Sequence, residues 1–459
     1  MKRALTFAAS LAALASALPV AAQDVTITGV TVATGDGSEP VENGAVVLQG
    51  GKVVYAGSAA NMPTAPQSAV IDGEGRWVTP GLFATVTNLG LWDVGAVSES
   101  NDIRAGGSPF SAALDVAPVI NPASQHILIH RAAGITRAAV VGSASGSIFA
   151  GQGAIIDLGS DPDAVTKPRA FQVVELGEGG ARLSGGSRTS AQALFRNALL
   201  EAGEFELSGT IRSTGSGGTS RQGDDIGIDS RMARTSRDRA SDVLLTRFDA
   251  AALVPVARGE QPLYVMVERA ADIRSALALK KEFPRLDMVL VGASEGWLVA
   301  AEIAASGVPV IADGLDDLPQ GFDQLASTQS NIGRMVKAGV KVAINASAME
   351  NPRNLNQYAG NLVALTRMPG ADGLSWGQAF AAITSVPAEI SGMGGKAGVL
   401  APGANGDLVI WDGDPLEVGS SVVRVYIDGI EQPLENHQSR LRDRYRELDE
   451  STLPEAYDW

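Results

Sequence analysis

Residues 78–91 read VTPGLFATVTNLGL, and they stand where the pattern of the sequence changes. Pro and Gly at 80–81 indicate a turn, and the residues that follow alternate as in a β-strand. The alternation predicts two faces, one with Phe83, Thr85 and Thr87, the other with Ala84, Val86 and Asn88. A buried strand has no structural need for a polar side chain at its end, yet Asn88 stands there, just before Gly90.

The sequence on either side of this stretch predicts two kinds of structure. Residues 24–79 and 398–430 form short alternating runs broken by Gly and Asp-Gly turns, which is typical of all-β regions. Between them, apolar strand-like runs alternate with helical patterns, and this favours parallel strands joined by crossover helices. The predicted strands lie at 136–142, 170–177, 263–268, 287–292, 308–313 and 340–345, and the predicted helices at 270–282, 295–306 and 331–338.

The number of these repeats favours a closed barrel over an open sheet. We therefore predict an α/β fold with a TIM-type (β/α)8 barrel over residues 80–397. A small composite β-sandwich, built from residues 24–79 and 398–430, is expected beside it. Residues 431–459 are predicted to be a polar tail with a charged helix over 436–450.

Composition limits the classes of partner. The chain has 459 residues, a net charge of −15 and no cysteine. An acidic chain repels phosphate backbones, so we expect no nucleic-acid partner. Without cysteine, neither disulfides nor thiolate chemistry are available.

The N-terminus resembles an export signal. Lys2 and Arg3 precede an apolar run over 4–19, and Val20 and Ala22 supply small residues at the −3 and −1 positions. Cleavage after Ala22 is predicted, which lowers the net charge from −15 to −17 because two basic side chains are removed. The run is too short for a comfortable membrane span, and no later stretch is long and apolar enough. We expect a periplasmic or secreted protein without a membrane span.

Residues 208–240 differ from the rest of the barrel region. They are rich in Ser, Gly and Arg and show little apolar periodicity. Such a segment buries too little surface to offset its ordering entropy, so a mobile insertion is predicted. It is interpreted either as a solvated loop or as a lid over a pocket.

Four stretches together resemble the amidohydrolase superfamily, in particular its imidazolonepropionase-like exported members. The resemblance runs from about Val25 to about Ile430. The first, VTPGLFATVTNLG, resembles the family's Pro-Gly-Leu strand that leads into His-x-His, and the second, GSIFAGQGAIIDL (146–158), resembles a family loop around Gly-Gln-Gly. The third, GLSWGQAFAAITSVPAEISG (373–392), resembles the family helix with a Thr…Pro-Ala pattern. The fourth, AGVLAPGANGDLVIWDGDP (397–415), resembles the closing Pro-Gly…Asp-Leu signature.

The resemblance implies metal-assisted hydrolysis of carbon–nitrogen bonds other than peptide bonds. In that family, zinc or another divalent ion activates a water molecule at the carboxyl ends of the barrel strands. The family's two strand-one histidines match Val86 and Asn88. The strand-five ligand matches Met266 or Glu268, and the sequence does not decide between these two residues.

Three further positions complete the implied set. The strand-six histidine matches Gly292, and the strand-eight aspartate matches Ser347 or a neighbour. The strand-four bridge has no secure match, although Gln172 and Glu175 lie nearby.

These residue types are poor zinc ligands. Val86 and Gly292 have no donor atom, Met266 offers a thioether, and Asn88 and Ser347 offer neutral oxygens. The chain has only three histidines, His126, His130 and His437. We therefore expect no metal cofactor and predict Asn88 and Glu268 as ligand-binding residues.

The remaining polar residues have ordinary interpretations. His126 and His130 share a helix face, which is compatible with a metal pair but more typical of packing, and His437 lies in the polar tail. Arg269 is a candidate ion-pair partner for Glu268. Asp313 and residues 316–317 are interpreted as a solvated turn that could line the same mouth, and Gly-Gln-Gly at 151–153 lacks the Gly-Lys-Ser/Thr of a phosphate loop.

Three functions remain open at this point. The first is a catalytically impaired family member that binds a small ligand or acts as a partner subunit, either with a second copy or with an active relative. The second is an active hydrolase with a rearranged metal site on Glu268, Asp313 and loop carboxylates. The third is a structural envelope protein that uses residues 208–240 for interaction.

Overall fold

A computed structural model describes residues 22–64, 68–205, 244–315, 317–345 and 351–446. The predicted export signal before Ala22, the 208–240 segment, Ser347, Asp316 and the chain end after residue 446 lie outside these ranges. Within them, the strands form two separate sheets.

The first sheet joins both ends of the chain. Its strands are β1 (Val25–Val32), β2 (Val41–Gln49), β3 (Lys52–Ser58), β4 (Ala69–Asp72), β5 (Trp77–Pro80), β14 (Leu408–Trp411), β15 (Val422–Ile427) and β16 (Ile430–Glu431). Strand order is β16-β15-β14-β5-β1-β2-β3, with β4 also paired to β1. The antiparallel pairing of β14 with β5 is the point where the C-terminal strands meet the N-terminal ones.

The second sheet is the barrel. Its strands are β6 (Leu82–Thr87), β7 (Ile135–Val140), β8 (Phe149–Asp157), β9 (Val165–Glu175), β10 (Leu263–Val267), β11 (Met288–Gly292), β12 (Val310–Asp313) and β13 (Val342–Asn345). They are hydrogen-bonded in sequence order from β6 to β13. The predicted α/β barrel with a composite β-domain from both chain ends is confirmed.

Residues 146–158 differ from their predicted role. The structure forms a strand there, β8, instead of the loop that the Gly-Gln-Gly resemblance implied. Strand β8 runs antiparallel to both β7 and β9, while the other neighbouring barrel strands are parallel. The prediction of a loop was wrong because every residue of β8 is buried and the strand pairs with both of its neighbours in the barrel sheet.

The barrel is almost closed between β6 and β13. The Phe83 amide donates to the Ile383 carbonyl at 3.0 Å, and the Ile344 amide donates to the Ala382 carbonyl at 2.8 Å. The segment at 382–383 therefore lies between the first and last strands. Nearer the mouth, the Thr85 hydroxyl donates to Asn345 Oδ1 at 3.3 Å.

The barrel interior is filled by its own apolar cluster. Phe171 and Tyr264 stack at its centre, with ring centroids 4.3 Å apart, and both are almost fully buried. Phe83 and Ile311 belong to the same cluster. The interior is thus packed rather than open, and the described residues leave a cavity at the carboxyl ends of the strands.

Helices cover the outside of the barrel. They are α1 (Gln125–Ala132), α2 (Glu178–Leu183), α3 (Arg188–Glu204), α4 (Arg247–Arg258), α5 (Ala270–Glu282), α6 (Ala300–Ser306), α7 (Asn331–Lys337), α8 (Leu355–Leu365), α9 (Trp376–Ala381), α10 (Ser385–Ile390) and, in the tail, α11 (His437–Tyr445). The predicted helix at 295–306 is in fact a 3-10 turn, Gly296–Val299, followed by α6. None of the helices in the described ranges is long and apolar enough to cross a membrane.

A buried ion pair fixes the barrel on the first sheet. Arg137 of β7 is 2% exposed, and its Nε and Nη2 donate to the two carboxylate oxygens of Asp407 at 2.6 and 3.1 Å. Nη2 also donates to Asp428 at 2.8 Å. Because Asp407 immediately precedes β14, this fork-shaped contact joins the two sheets at one point.

Replacing Arg137 with Met should destabilise the protein by about 3–5 kcal/mol, because Asp407 is then buried without its counter-charge. The measurement is urea denaturation at pH 7. The matched control is Arg274→Met, which breaks the exposed pair with Glu302 and should change the midpoint little. Equal losses in the two variants would contradict the role of burial.

Candidate functional site

The carboxyl ends of the barrel strands surround a cavity of about 280 Å³. Its wall includes residues from the ends of most barrel strands, as expected for the functional face of such a barrel. The polar members are Thr87, Asn88, His126, Ser143, Glu175, Glu268, Asp313 and Asn345; the larger apolar ones are Val86, Leu89, Trp92, Val141, Val173, Met266 and Val291.

A kink at the end of β6 brings Val86 and Asn88 to this wall. Val86 has a φ of 47°, and the pairing of β6 with β7 is irregular between Ala84 and Thr87. The predicted two-face alternation therefore fails: Phe83 and Val86 pack in the same interior cluster. Asn88 lines the cavity as predicted, with its amide nitrogen donating to the Val141 carbonyl at 3.0 Å.

Glu268 follows β10 and also lines the cavity, as predicted. Its Oε2 accepts hydrogen bonds from the Ser294 amide at 3.0 Å and the Ser294 hydroxyl at 2.6 Å. The proposed ion pair with Arg269 was wrong, because Arg269 binds Asp272 at 2.8 Å instead. Met266 lies on the same wall, so both of the residues left open for strand five face the cavity.

The Glu268 carboxyl group occupies the space beside the Gly292 backbone. A Cβ atom at Gly292 would overlap with the Glu268 carboxyl group, and the φ of Gly292 is +91°, a value that favours glycine. With Glu268 in its observed position, a side chain at this position, which the resemblance matches to a strand-six histidine, would clash with the carboxyl group. The carboxyl group of a neighbouring strand fills that space.

Glu175, and not Gln172, is the strand-four residue at the mouth. Phe171 and Val173 belong to the barrel interior, and Glu175 continues that face at the end of β9. Gln172 lies on the opposite face, fully buried, near Gln152 and Gln261. The sequence FQVVE (171–175) indicates this arrangement, because residues two apart on a strand share a face.

Asp313 and Asn345 complete the acidic and amide groups of the wall. They are register partners on β12 and β13, and both line the cavity. Asp313 is therefore not part of a solvated turn, whereas Asp317 is exposed. The predicted match at Ser347 falls outside the described residues, so Asn345 is the described residue of that stretch at the mouth.

His126 reaches the cavity, which the sequence did not indicate. Its ring stacks on Trp92 with centroids 3.8 Å apart, and its Nε2 lies 3.1 Å from the Asp93 carbonyl. His130 is buried on α1, with Nδ1 2.6 Å from the His126 carbonyl, in agreement with a packing role. His437 is exposed at the start of α11.

A second cavity of about 260 Å³ adjoins the first. Glu175, Met266 and Glu268 line both cavities and thus form the partition between them. The outer wall of the second cavity carries Glu178 and Arg182, together with Gln320, Gly321, Asp323 and Gln324. No sequence pattern indicated this second cavity, because the loop at 320–324 approaches β9 only in the folded chain.

Burial shifts both carboxyl groups of the partition. Desolvation raises the pKa of Glu268 to about 8, although the two hydrogen bonds from Ser294 oppose the shift. Desolvation also raises the pKa of Glu175 to about 7; Arg182 opposes this shift and Asp323 adds to it. At neutral pH the pair therefore holds protons that exposed glutamates have lost.

The residues at the mouth do not fit a family-type zinc site. Valine and glycine at positions 86 and 292 provide no donor atom, and Met266 provides a soft sulfur. Across the ranges that the structure describes, no group of three or more His, Cys, Asp or Glu is placed to hold a metal ion. The carboxyl groups on this wall, those of Glu175, Glu268 and Asp313, are suited to hydrogen bonding and ion pairing.

Known proteins resemble this chain over very different lengths. The model of the amidohydrolase family matches residues 297–430. Amidohydrolase tasK of Hapsidospora irregularis is 45% identical over 60 residues, which are 13% of this chain and only 6% of that protein. An imidazolonepropionase of Acidiphilium cryptum is 25% identical over 401 residues, covering 82% of this chain and 89% of the relative.

A solved structure shows the same fold. An amidohydrolase from Thermotoga maritima superimposes with a TM-score of 0.71 at 21% identity, covering 89% of this chain and 99% of that one. At this identity the likeness concerns the fold alone. The chemistry of the mouth has to be argued from the residues above.

Substituting Gly292 with Ala should cost about 2–5 kcal/mol of stability, through the positive φ and the overlap with Glu268. The control is Gly307→Ala, which has a φ of +66° at the end of α6 but open space around its Cβ. That variant should lose only about 1–2 kcal/mol. Urea denaturation of both variants measures the difference, and equal losses would show that Glu268 does not fill this space.

The protein should lose stability as the pH rises from about 5 to 9. Folded Glu268 keeps its proton up to a pKa of about 8, whereas the unfolded chain releases it near 4.5. The folded state thus binds more protons in this window, so the free energy of unfolding falls as the pH rises.

Glu268→Gln should weaken this pH dependence of the melting temperature, because glutamine keeps an acceptor for Ser294 and cannot ionise. The control is the exposed Glu260→Gln, which should follow the parent protein at every pH. Parallel curves for all three proteins would contradict a protonated Glu268.

Proposed function

We propose that this chain, which matches the amidohydrolase family over residues 297–430, has its function at the barrel mouth, where it binds a small organic molecule without metal-dependent hydrolysis. The family's hydrolytic chemistry needs an ion that activates water. The proposal holds that this barrel keeps the family's cavity and has lost the groups that would hold the ion.

One observation carries the proposal: an open cavity remains where the family's ligand positions are Val86, Asn88, Met266 and Gly292. A barrel that had lost all function would face no constraint to keep a metabolite-sized cavity with inward-facing polar groups. Small-molecule sites combine mainly apolar walls with a few directed polar groups, and this wall has that composition.

The polar groups would orient the ligand. The Asn345 carbonyl oxygen accepts a hydrogen bond from Thr85, which fixes the amide at the rim. Ser294 fixes the Glu268 carboxyl group from the other side. Binding to such a preorganised wall loses little side-chain entropy.

Metal content and hydrolysis test the first half of the proposal. Protein purified without chelators should contain no stoichiometric zinc or manganese by elemental analysis. It should not hydrolyse a panel of cyclic amides, imides and dipeptides above background, with or without added Zn²⁺ or Mn²⁺. Stoichiometric metal whose removal abolishes an amidase activity would overturn the proposal in favour of a rearranged hydrolase site.

A thermal-shift screen of small metabolites tests the second half. A ligand of the cavity should raise the melting temperature of the parent protein and not that of Ala144→Trp, which adds a large side chain to the cavity wall. The matched control is Ala60→Trp on the exposed surface of the β-domain, which should respond like the parent. A ligand that stabilises all three proteins equally would not bind in this cavity.

We also propose that the protein works outside the cytoplasm, on the strength of the signal-like sequence before Gln23. Cell fractionation followed by N-terminal sequencing should yield a periplasmic or secreted chain that starts at Gln23. Cytoplasmic protein with an intact Met1 would contradict export. A partner role, with a second copy or an active relative, would appear as co-purification from the same fraction.

A further inference from the structure

The charges around the two cavities are strongly one-sided. Glu175, Glu268 and Asp313 line the first cavity, and among its described lining residues there is no lysine or arginine. Glu178 and Asp323 add two carboxylates on the second cavity. Clefts lined by one sign of charge attract ligands of the opposite sign.

The cations near the mouth are already engaged with other carboxylates. Arg182, on the wall of the second cavity, binds Glu178 at 2.9 Å. Arg188 binds Asp272 at 2.9 Å and lies 3.7 Å from Asp323. Neither guanidinium makes an ion pair with Glu175 or Glu268.

The Glu175 carboxyl group has hydrogen-bonding capacity that the described residues do not use. Its carboxyl group is largely desolvated, it faces both cavities, and no described residue donates a hydrogen bond to it. The Glu268 carboxyl group accepts its hydrogen bonds at Oε2 from Ser294 alone. Both side chains are half-buried and line the two cavities, so the partition between the cavities has hydrogen-bonding capacity left for a ligand.

From this arrangement we infer that the ligand of the proposed site is an organic cation, a small amine whose ammonium group lies at the partition formed by Glu175, Met266 and Glu268. This inference rests on the proposed function and specifies its ligand class. The ammonium group supplies three donors to the two carboxyl groups. Its presence favours their ionised forms, which burial alone disfavours.

The rest of the first cavity fits the apolar part of such a molecule. Val86, Val173 and Val291 line it beside Met266, and the volume of about 280 Å³ admits a short hydrocarbon chain or one ring. An anionic ligand would instead meet three carboxyl groups without a lysine or arginine on the described wall. A carboxylate ligand is therefore the class that the charges most oppose.

Isothermal titration calorimetry with three probes of one shape tests the inference. The probes are pentylamine, pentanol and pentanoate at pH 8 and low salt. Pentylamine should bind at least about tenfold more tightly than the other two, since one charge-assisted hydrogen bond is worth about 1.5–3 kcal/mol. Pentanol or pentanoate binding as tightly as pentylamine overturns the inference.

Charge-neutral variants locate the ammonium group. Glu175→Gln and Glu268→Gln should each weaken pentylamine binding about tenfold or more, while the exposed Glu260→Gln leaves it unchanged. Asn345→Asp retains an acceptor for Thr85 and adds a negative charge, so it should bind pentylamine more tightly than the parent does. If a glutamine variant fails to fold, Asn345→Asp still tests the inference. A pentylamine affinity of Asn345→Asp equal to that of the parent protein would overturn it.

The outcomes separate the two proposals. The metabolite screen could find a neutral or anionic ligand whose binding is abolished by Ala144→Trp, while pentylamine does not bind. The cation inference then fails and the proposed binding function stands. If elemental analysis finds a removable catalytic metal, the proposed function itself fails.

Discussion

The chemistry of this barrel mouth depends on one steric constraint: the Glu268 carboxyl group occupies the space into which a side chain at position 292 would project. Gly292 has a positive φ and borders the carboxyl group directly, and Ser294 holds that group in place with two hydrogen bonds. In its observed position, the Glu268 carboxyl group thus conflicts with any side chain at position 292, which the resemblance matches to a histidine of the family.

The remainder of the fold serves to bring such groups together. Parallel strands present their carboxyl ends at one rim, so Glu175, Asp313 and Asn345 meet Glu268 although they are far apart in sequence. The packed interior below them, centred on Phe171 and Tyr264, gives the rim a rigid base. The result is a barrel whose rim is rich in carboxyl and amide groups and carries one histidine, His126, among the residues that line the first cavity.

Much of this architecture was accessible from sequence patterns. Helix α5 has the predicted bounds, 270–282, because its apolar residues recur at helical spacing and strand-like runs flank it. The β-rich chain ends also combined into one sheet as predicted. The patterns failed where backbone geometry departs from regular periods: Val86 takes a positive φ that breaks the alternation of β6, and residues 149–157 pair as an antiparallel strand.

The sequence by itself determined the fold class and the poverty of zinc ligands, since these follow from periodicity and residue types, and its ordered motifs indicated a resemblance to the amidohydrolases. It also placed Asn88 and Glu268 at the mouth, because they stand at strand ends. Only the tertiary structure decided that Glu175 rather than Gln172 faces inward, that His126 reaches the wall and that two cavities share an acidic partition. These facts depend on which strands become neighbours and on how loops fold over the rim, and no local pattern encodes such long-range contacts.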